Sequence, residues 1–336
     1  MASLPTPRGP VLVCGGAGYI GSHAAQLLVQ QGVETIVFDD LSAGHRQAVR
    51  GEFVEGDLAD KGAIADALER YKPVAVMHFA GKCYVGESVT EPALYYQANV
   101  VNSLNLLREL QLAGVRDVVF SSTCATYGQP EVVPIPDDAP VGPITPYGQT
   151  KLVVEQMLAS FQRAYGMRHA CLRYFNAAGA LPDGTLGEVH VPETHLIPLV
   201  LEVAAGQREE LKLFGQDYPT PDGTCVRDYI HVCDLAQAHL SAIALLQSGV
   251  ESLTCNLGTG QGFSVLEIVE TARAVTGHPI PLTIVEPREG DPALLVSGGT
   301  RAAALLGWKP QRADLRTIIE DAWRFKQAHP QGYPGS

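Results

Sequence analysis

The chain has 336 residues, 46% of them hydrophobic and 18% charged, which suits one or two domains with a real core and excludes a disordered polypeptide. Its 24 basic and 36 acidic residues leave a formal charge of −12, with Lys and Arg scattered singly or in pairs, so no nucleic-acid partner is expected. No apolar run approaches the ~18–20 residues of a membrane helix and the start lacks a signal-peptide core, so no membrane partner and a cytoplasmic location are expected.

From the start, VLVCG at 11–15 begins a series of short runs rich in Val, Ile and Phe. The others lie at 34–40, 53–57, 74–80, 118–122 and 169–175, and all are bounded by Gly, Pro or Asp, as buried strands are. Amphipathic stretches at 19–31, 61–71, 92–113 and 146–165 alternate with them. Such alternation predicts βαβ units with right-handed crossovers, hence an α/β fold with a Rossmann-type doubly wound parallel sheet. Past residue 180 the texture changes to Gly-, Pro- and Asp-rich loops with short strands. Residues 9–180 therefore read as a dinucleotide-binding domain, and 181–336 mainly as a smaller C-terminal α/β substrate domain, with some elements returning to the first. The seven cysteines are odd in number, form no CxxC and have mostly apolar or small neighbours. Buried thiols are expected of them, with no metal site.

GGAGYIG puts Gly15, Gly18 and Gly21 between the first strand and the first helix. A glycine turn lets backbone approach a pyrophosphate, and the helix N-terminus offers free N–H groups. The second strand ends in Asp39 and Asp40, whose carboxylates suit ribose hydroxyls and repel a 2′-phosphate, which favours NAD over NADP. His45 and Arg46 read as a solvated loop. TPYGQTK places Tyr147 and Lys151 four apart at a helix start, on one face. A neighbouring ammonium, joined by a positive nicotinamide, is expected to lower the phenol toward neutrality and make it a base for a hydroxyl. The strand before it ends in Ser121, Ser122 and Thr123, hydroxyls near the expected reaction centre.

Taken together, GGAGYIGSH, HFAG…VGES, FSSTCATYG, PYGQTK, LRYFNAAGA, DYPTPDGTCVRDYIHV, REGDPA and HPQGYP resemble the UDP-glucose 4-epimerase family, within the extended short-chain dehydrogenases/reductases, from residue 9 to 335. The resemblance implies interconversion of UDP-glucose and UDP-galactose through a 4-keto sugar, on tightly held NAD, in a homodimer. It implies Tyr147 as the acid/base, Lys151 tuning it, and Thr123 on the sugar 4-oxygen. Around NAD it implies Gly15, Gly18, Tyr19, Ile20, Gly21, Asp39, Asp40, Asp57, Leu58, Phe79, Ala80, Gly81, Asn99, Ser121, Tyr147, Lys151 and Tyr174. Around the UDP-sugar it implies Thr123, Tyr147, Asn176, His195, Leu196, Lys212, Leu213, Phe214, Arg227, Arg288 and Asp291, the two arginines on the diphosphate.

Two departures stand out. Cys83 occupies a position that can hold a cofactor-contacting lysine, with Lys82 one residue earlier. Leu295, of intermediate bulk, sits near the position that gates larger sugars, which leaves UDP-N-acetylglucosamine open, along with UDP-xylose and UDP-arabinose. A nucleotide-sugar 4,6-dehydratase would carry an Asp-Glu pair after the strand-end Thr, where this chain has Cys124 and Ala125. A non-catalytic NAD-sensing protein would be expected to lack the Tyr147–Lys151 pair.

Overall fold

The computed structural model describes residues 6–287 and 292–334. In chain order β1 (Val11–Cys14) leads through α1 (Tyr19–Gln30) to β2 (Thr35–Asp39), β3 (Glu52–Glu55), α2 (Lys61–Tyr71) and β4 (Ala75–His78). Next come α3 (Val85–Thr90), α4 (Pro92–Tyr95), a π-helical stretch (Tyr96–Val101) and α5 (Asn102–Leu112). β5 (Asp117–Thr123), α6 (Pro146–Tyr165), β6 (Arg168–Tyr174) and β7 (Asn176–Ala178) follow. The second half adds α7 (Leu196–Ala204), β8 (Leu211–Phe214), β9 (Val226–His231), α8 (Val232–Gln247), β10 (Ser252–Leu257) and β11 (Gly262–Ser264). It ends with α9 (Val265–Thr276), β12 (Leu282–Val285), β13 (Leu294–Leu295), α10 (Arg301–Leu306) and α11 (Leu315–Ala328).

The main sheet has seven parallel strands in the order β10-β6-β5-β4-β1-β2-β3. Each predicted strand and helix of the first half is present, within a residue or two of its predicted ends. The period of two along each strand sends alternate side chains to opposite faces. Val11 and Val13 join Val37, Met77 and Val119 under α1 and α8, while Leu12 and Cys14 join Ile36, Phe38 and Val118 under α2, α5 and α6. Each fully buried Leu, Ile or Phe contributes about 1.5–3 kcal/mol, so both layers are needed to hold the sheet. The second half does not stay apart. After β9 the chain returns through α8, nearly all of it buried, and β10 extends the sheet beside β6.

A smaller layer stacks α7, α9 and α11 around Leu211 and Tyr229. Its short strands make a four-stranded sheet of β7, β9, β11 and β13 and a β8–β12 pair. Strand order reverses between β1 and β4, and the crevice beyond the carboxyl ends of those strands is where a doubly wound sheet binds ligands. Among the described residues no helix is long and apolar enough to cross a membrane. All seven cysteines are free, and Cys83 alone among them is exposed.

Candidate active site

The glycine turn closes one side of that crevice. Gly15 has φ +78°, and a Cβ there would lie 2.4 Å from the Ala80 nitrogen. A Cβ on Gly21 would lie 2.1 Å from the Gly15 carbonyl, so the helix meets the turn only with glycine. Gly18 is different: a Cβ would touch only the Gly15 oxygen, at 3.4 Å. Gly18 caps α1 with no side-chain hydrogen bond, which leaves the first N–H groups of that helix pointing into the crevice. An uncapped helix start behind a glycine turn fits a pyrophosphate. Tyr19 reaches across, its hydroxyl donating to the Gly179 carbonyl at 2.7 Å, and Ile20 packs against the core of that face.

Asp39 is buried and accepts from the Ala17 N–H and the Leu41 N–H, both at 2.9 Å. Burial pushes its carboxyl up, and these two N–H groups pull it back. It thus fixes the glycine turn. Asp40 is exposed and accepts from Ser42 N–H at 2.9 Å. Asp57 is exposed, taking the Ala59 N–H at 2.8 Å, and Leu58 is buried. His45 is not the solvated residue expected: its ring contacts the Val189 carbonyl at 3.1 Å and the Tyr333 ring at 5.2 Å. It joins the loop after β2 to the second half because the chain there folds back over it. Arg46 does face solvent, paired with Glu55.

The wall from β4 carries Phe79, Ala80 and Gly81. Phe79 stacks on His239 at 4.6 Å between ring centroids. Asn99, buried in the π-helical stretch, accepts the Lys82 N–H at 2.7 Å and donates to the Lys82 carbonyl and to Thr150, both at 3.0 Å. That one amide therefore ties the 81–82 backbone to the residue preceding Lys151, and a Cβ on Gly81 would lie 3.9 Å from the Lys151 ammonium. The glycine turn, through Ala80 and Gly81, and the Tyr-Lys helix thus border one crevice.

α6 starts where the sequence predicts, with the Thr145 side chain accepting the Gly148 N–H at 3.2 Å and Pro146 in the first turn. Tyr147 and Lys151 are buried on its inner face. Lys151 donates to the Ser121 carbonyl at 3.0 Å and lies over the Phe120 ring. Burial pushes it down to about 8. Thr123, buried at the end of β5, stands near the Tyr147 hydroxyl. The expected lowering of the phenol does not arise from the protein's own groups. Burial first, then Tyr174, Cys83 and Cys124, push Tyr147 well above its usual value, against the Thr123 side chain, which favours the phenolate. Spacing of four puts the two side chains on one buried helix face, but desolvation of the phenol dominates its surroundings. Ser121 and Tyr174 share a hydrogen bond of 2.5 Å across β5 and β6.

Of the residues expected around the UDP-sugar, Asn176 opens β7, opposite Tyr229 of β9. His195 caps α7 and Leu196 begins it. On β8, Lys212 and Phe214 are exposed, whereas the Leu213 side chain turns into the core, leaving only its backbone to that face. Arg227 is half-buried on β9, its guanidinium donating to the Val226 carbonyl at 2.9 Å, and it lies opposite Leu295 of β13. Leu295 packs with Cys124 and Phe175, one residue beyond Thr123 and Tyr174 respectively. Arg288 and Asp291 lie outside the described residues.

Behind the site stands a network the sequence did not suggest. Glu155, one turn beyond Lys151, takes a bidentate pair from Arg173 at 2.5 and 2.9 Å and a hydroxyl from Ser122 at 2.5 Å. Arg173 also donates to the Tyr127 hydroxyl at 3.0 Å, which donates to Asn256 of β10 at 2.7 Å. These groups lock α6 to β5, β6 and β10. Four-residue spacing from Lys151 on α6 was the only available signal for Glu155.

Residues 11–258 match the NAD dependent epimerase/dehydratase family. The UDP-glucose 4-epimerase of Streptomyces lividans is 51% identical over 329 residues, covering 97% of this chain and 98% of that protein. In three dimensions the UDP-glucose 4-epimerase of Brucella ovis in complex with NAD superposes with a TM-score of 0.93 at 50% identity, over 95% of this chain and 98% of that one. The Stenotrophomonas maltophila UDP-glucose-4-epimerase with bound NAD and formylated UDP-arabinopyranose gives 0.92 at 42% identity, over 96% and 98%. With its glycine turn, Tyr-Lys helix and nearly full-length likeness to these enzymes, the chain belongs to the NAD dependent epimerase/dehydratase family.

Proposed function

We propose that the protein is an NAD-dependent isomerase that interconverts UDP-glucose and UDP-galactose at carbon 4. The observation that carries this is the approach of the glycine turn, through Ala80 and Gly81, to Lys151 on the helix that bears Tyr147. NAD⁺ held there supplies a reversible hydride acceptor and the positive charge that favours a phenolate. Gly15, Gly18, Tyr19, Ile20 and Gly21 would hold the pyrophosphate, with Asp39 and Asp40 on the ribose. Asp57, Leu58, Phe79, Ala80, Gly81, Asn99, Ser121, Lys151 and Tyr174 would form the rest of that pocket.

Tyr147 removes the proton of the 4-hydroxyl and returns it to the 4-oxygen after the keto sugar has turned over. Thr123 holds that oxygen within reach, and Lys151 orients and electrostatically supports the phenol. The diphosphate is met by Arg227 and Arg288, the phosphate region by Asn176, and the uridine by Lys212 to Phe214 and Asp291. In this reading residues 9–180 are mainly the cofactor domain and 181–336 mainly the UDP-sugar domain. Elimination as in a 4,6-dehydratase lacks a catalyst after Thr123, because burial pushes the Cys124 thiol up to about 12 and Ala125 has no proton to exchange.

We also infer a cytoplasmic homodimer. Val85, Val89, Leu94 and Leu104, on α3 to α5, are at least 40% exposed and form the apolar material such an interface needs. Sedimentation of wild type against Leu104→Glu tests it, a monomeric wild type being the contrary result. The activity is tested with UDP-glucose, UDP-N-acetylglucosamine and UDP-xylose as a panel. Tyr147→Phe is expected to keep NAD and to lose at least ~10³-fold in turnover. A 4-keto-6-deoxy product, or full activity in that variant, overturns the proposal.

A further inference from the structure

Between β7 and α7, Glu188, His190, Glu193 and His195 converge so that one ligand atom from each lies within 4.8 Å of the others. Nδ1 of His190 stands 3.2 Å from a Glu188 oxygen and 3.8 Å from Glu193. Nδ1 of His195 contacts the same Glu188 oxygen and stands 3.9 Å from Glu193. Both carboxylates are only 6% exposed. Although close to Glu188, the His190 Nδ1 is a buried nitrogen with no hydrogen-bond partner of proper geometry. Four donors at ~2.0–2.2 Å from a tetrahedral zinc lie roughly 3.3–3.6 Å apart; the contacts of 3.2, 3.8 and 3.9 Å are near this, and the closer His195–Glu188 contact is a hydrogen bond that the metal would replace.

Two buried carboxylates and two imidazoles offer one donor atom each to a single divalent cation. We propose that Glu188, His190, Glu193 and His195 form a binding site for a divalent transition metal of the zinc type. Two imidazoles with two carboxylate oxygens suit zinc and disfavour calcium or magnesium, which prefer all-oxygen shells. A full set of four protein ligands makes the site structural. The metal would fasten the 188–195 segment to the start of α7 at the rim of the crevice. There the His190 ring packs edge-on to Tyr19 and Tyr84, at 6.5 and 6.0 Å between centroids. Using Nδ1 of His195 for the metal leaves its Nε2 for a substrate group.

The experiment uses the NAD-loaded protein, stripped with a chelator and titrated with Zn²⁺ against a chromophoric competitor, with Co²⁺ as a spectroscopic probe. One metal per chain is expected, with tetrahedral cobalt bands and no thiolate charge-transfer band. His190→Gln and Glu193→Gln should each weaken binding by more than ~100-fold, beyond the loss of an outer-shell partner, and Cys83→Ser should not. Circular dichroism and retained NAD establish that the variants fold, and Glu193→Gln carries the test if His190→Gln does not. No stoichiometric metal, a thiolate band, or unchanged affinity in a folded ligand variant overturns the site.

Discussion

Replacing Glu155 by Gln tests whether the buried pair behind α6 holds the active-site helix. The change keeps the shape and removes the charge. It leaves Arg173, its side chain 9% exposed, with a neutral partner in place of a carboxylate that accepts at 2.5 and 2.9 Å. Breaking one side of such a pair costs about 3–5 kcal/mol, because an uncompensated guanidinium stays buried. At ~2.1 cal/mol/K per residue, 336 residues give an unfolding entropy near 0.7 kcal/mol/K, so a loss of ~4 kcal/mol lowers Tm by about 6 °C. Removing the other charge as well, in Glu155→Gln/Arg173→Met, should recover stability relative to Glu155→Gln, since nothing charged then remains buried. Calorimetry of the three proteins at one saturating NAD concentration measures both effects. A single variant within ~2 °C of wild type, or a double variant whose loss equals the sum of the singles, would refute the reasoning.

Gly21→Ala should abolish NAD retention on gel filtration, because its Cβ would fall 2.1 Å from the Gly15 carbonyl, whereas Gly86→Ala, with nothing within 4 Å, should change Tm by no more than a degree or two. Lys151 is pushed down from 10.5 to about 8 by burial, so between those values the unfolded chain binds the extra proton and stability rises with pH. Wild type should gain about 3 kcal/mol on Lys151→Met from pH 8 to 10.5, read by denaturant unfolding, and a flat difference would contradict the buried ammonium. Leu295→Tyr should lower turnover of UDP-N-acetylglucosamine at least ~10-fold more than that of UDP-glucose, and equal loss on both would separate Leu295 from the sugar pocket.

Patterns local to the chain were legible, and contacts between distant parts were not. β1 to β6 and the helices beside them follow from period-two and period-3.6 patterning within single windows, and the glycine turn and Tyr147–Lys151 from spacings of a few residues. SLTCNL at 252–257 is as good a strand as these, yet it lies beyond a loop-rich stretch, and only the packing of α8 under the sheet returns it to β6. Glu155, Arg173, Tyr127 and Asn256 come from four elements, and no window holds two of them with a recognisable period. Their polar groups become a network only because burial leaves them no water. The phenol illustrates the same limit in energy. Proximity to Lys151 argues for a lower value and burial for a higher one, and a sequence gives the first distance but not the second environment. In the folded protein burial wins, so the protein alone keeps Tyr147 protonated. In the proposed reaction the positive charge of a bound cofactor would have to supply what the protein's own groups do not.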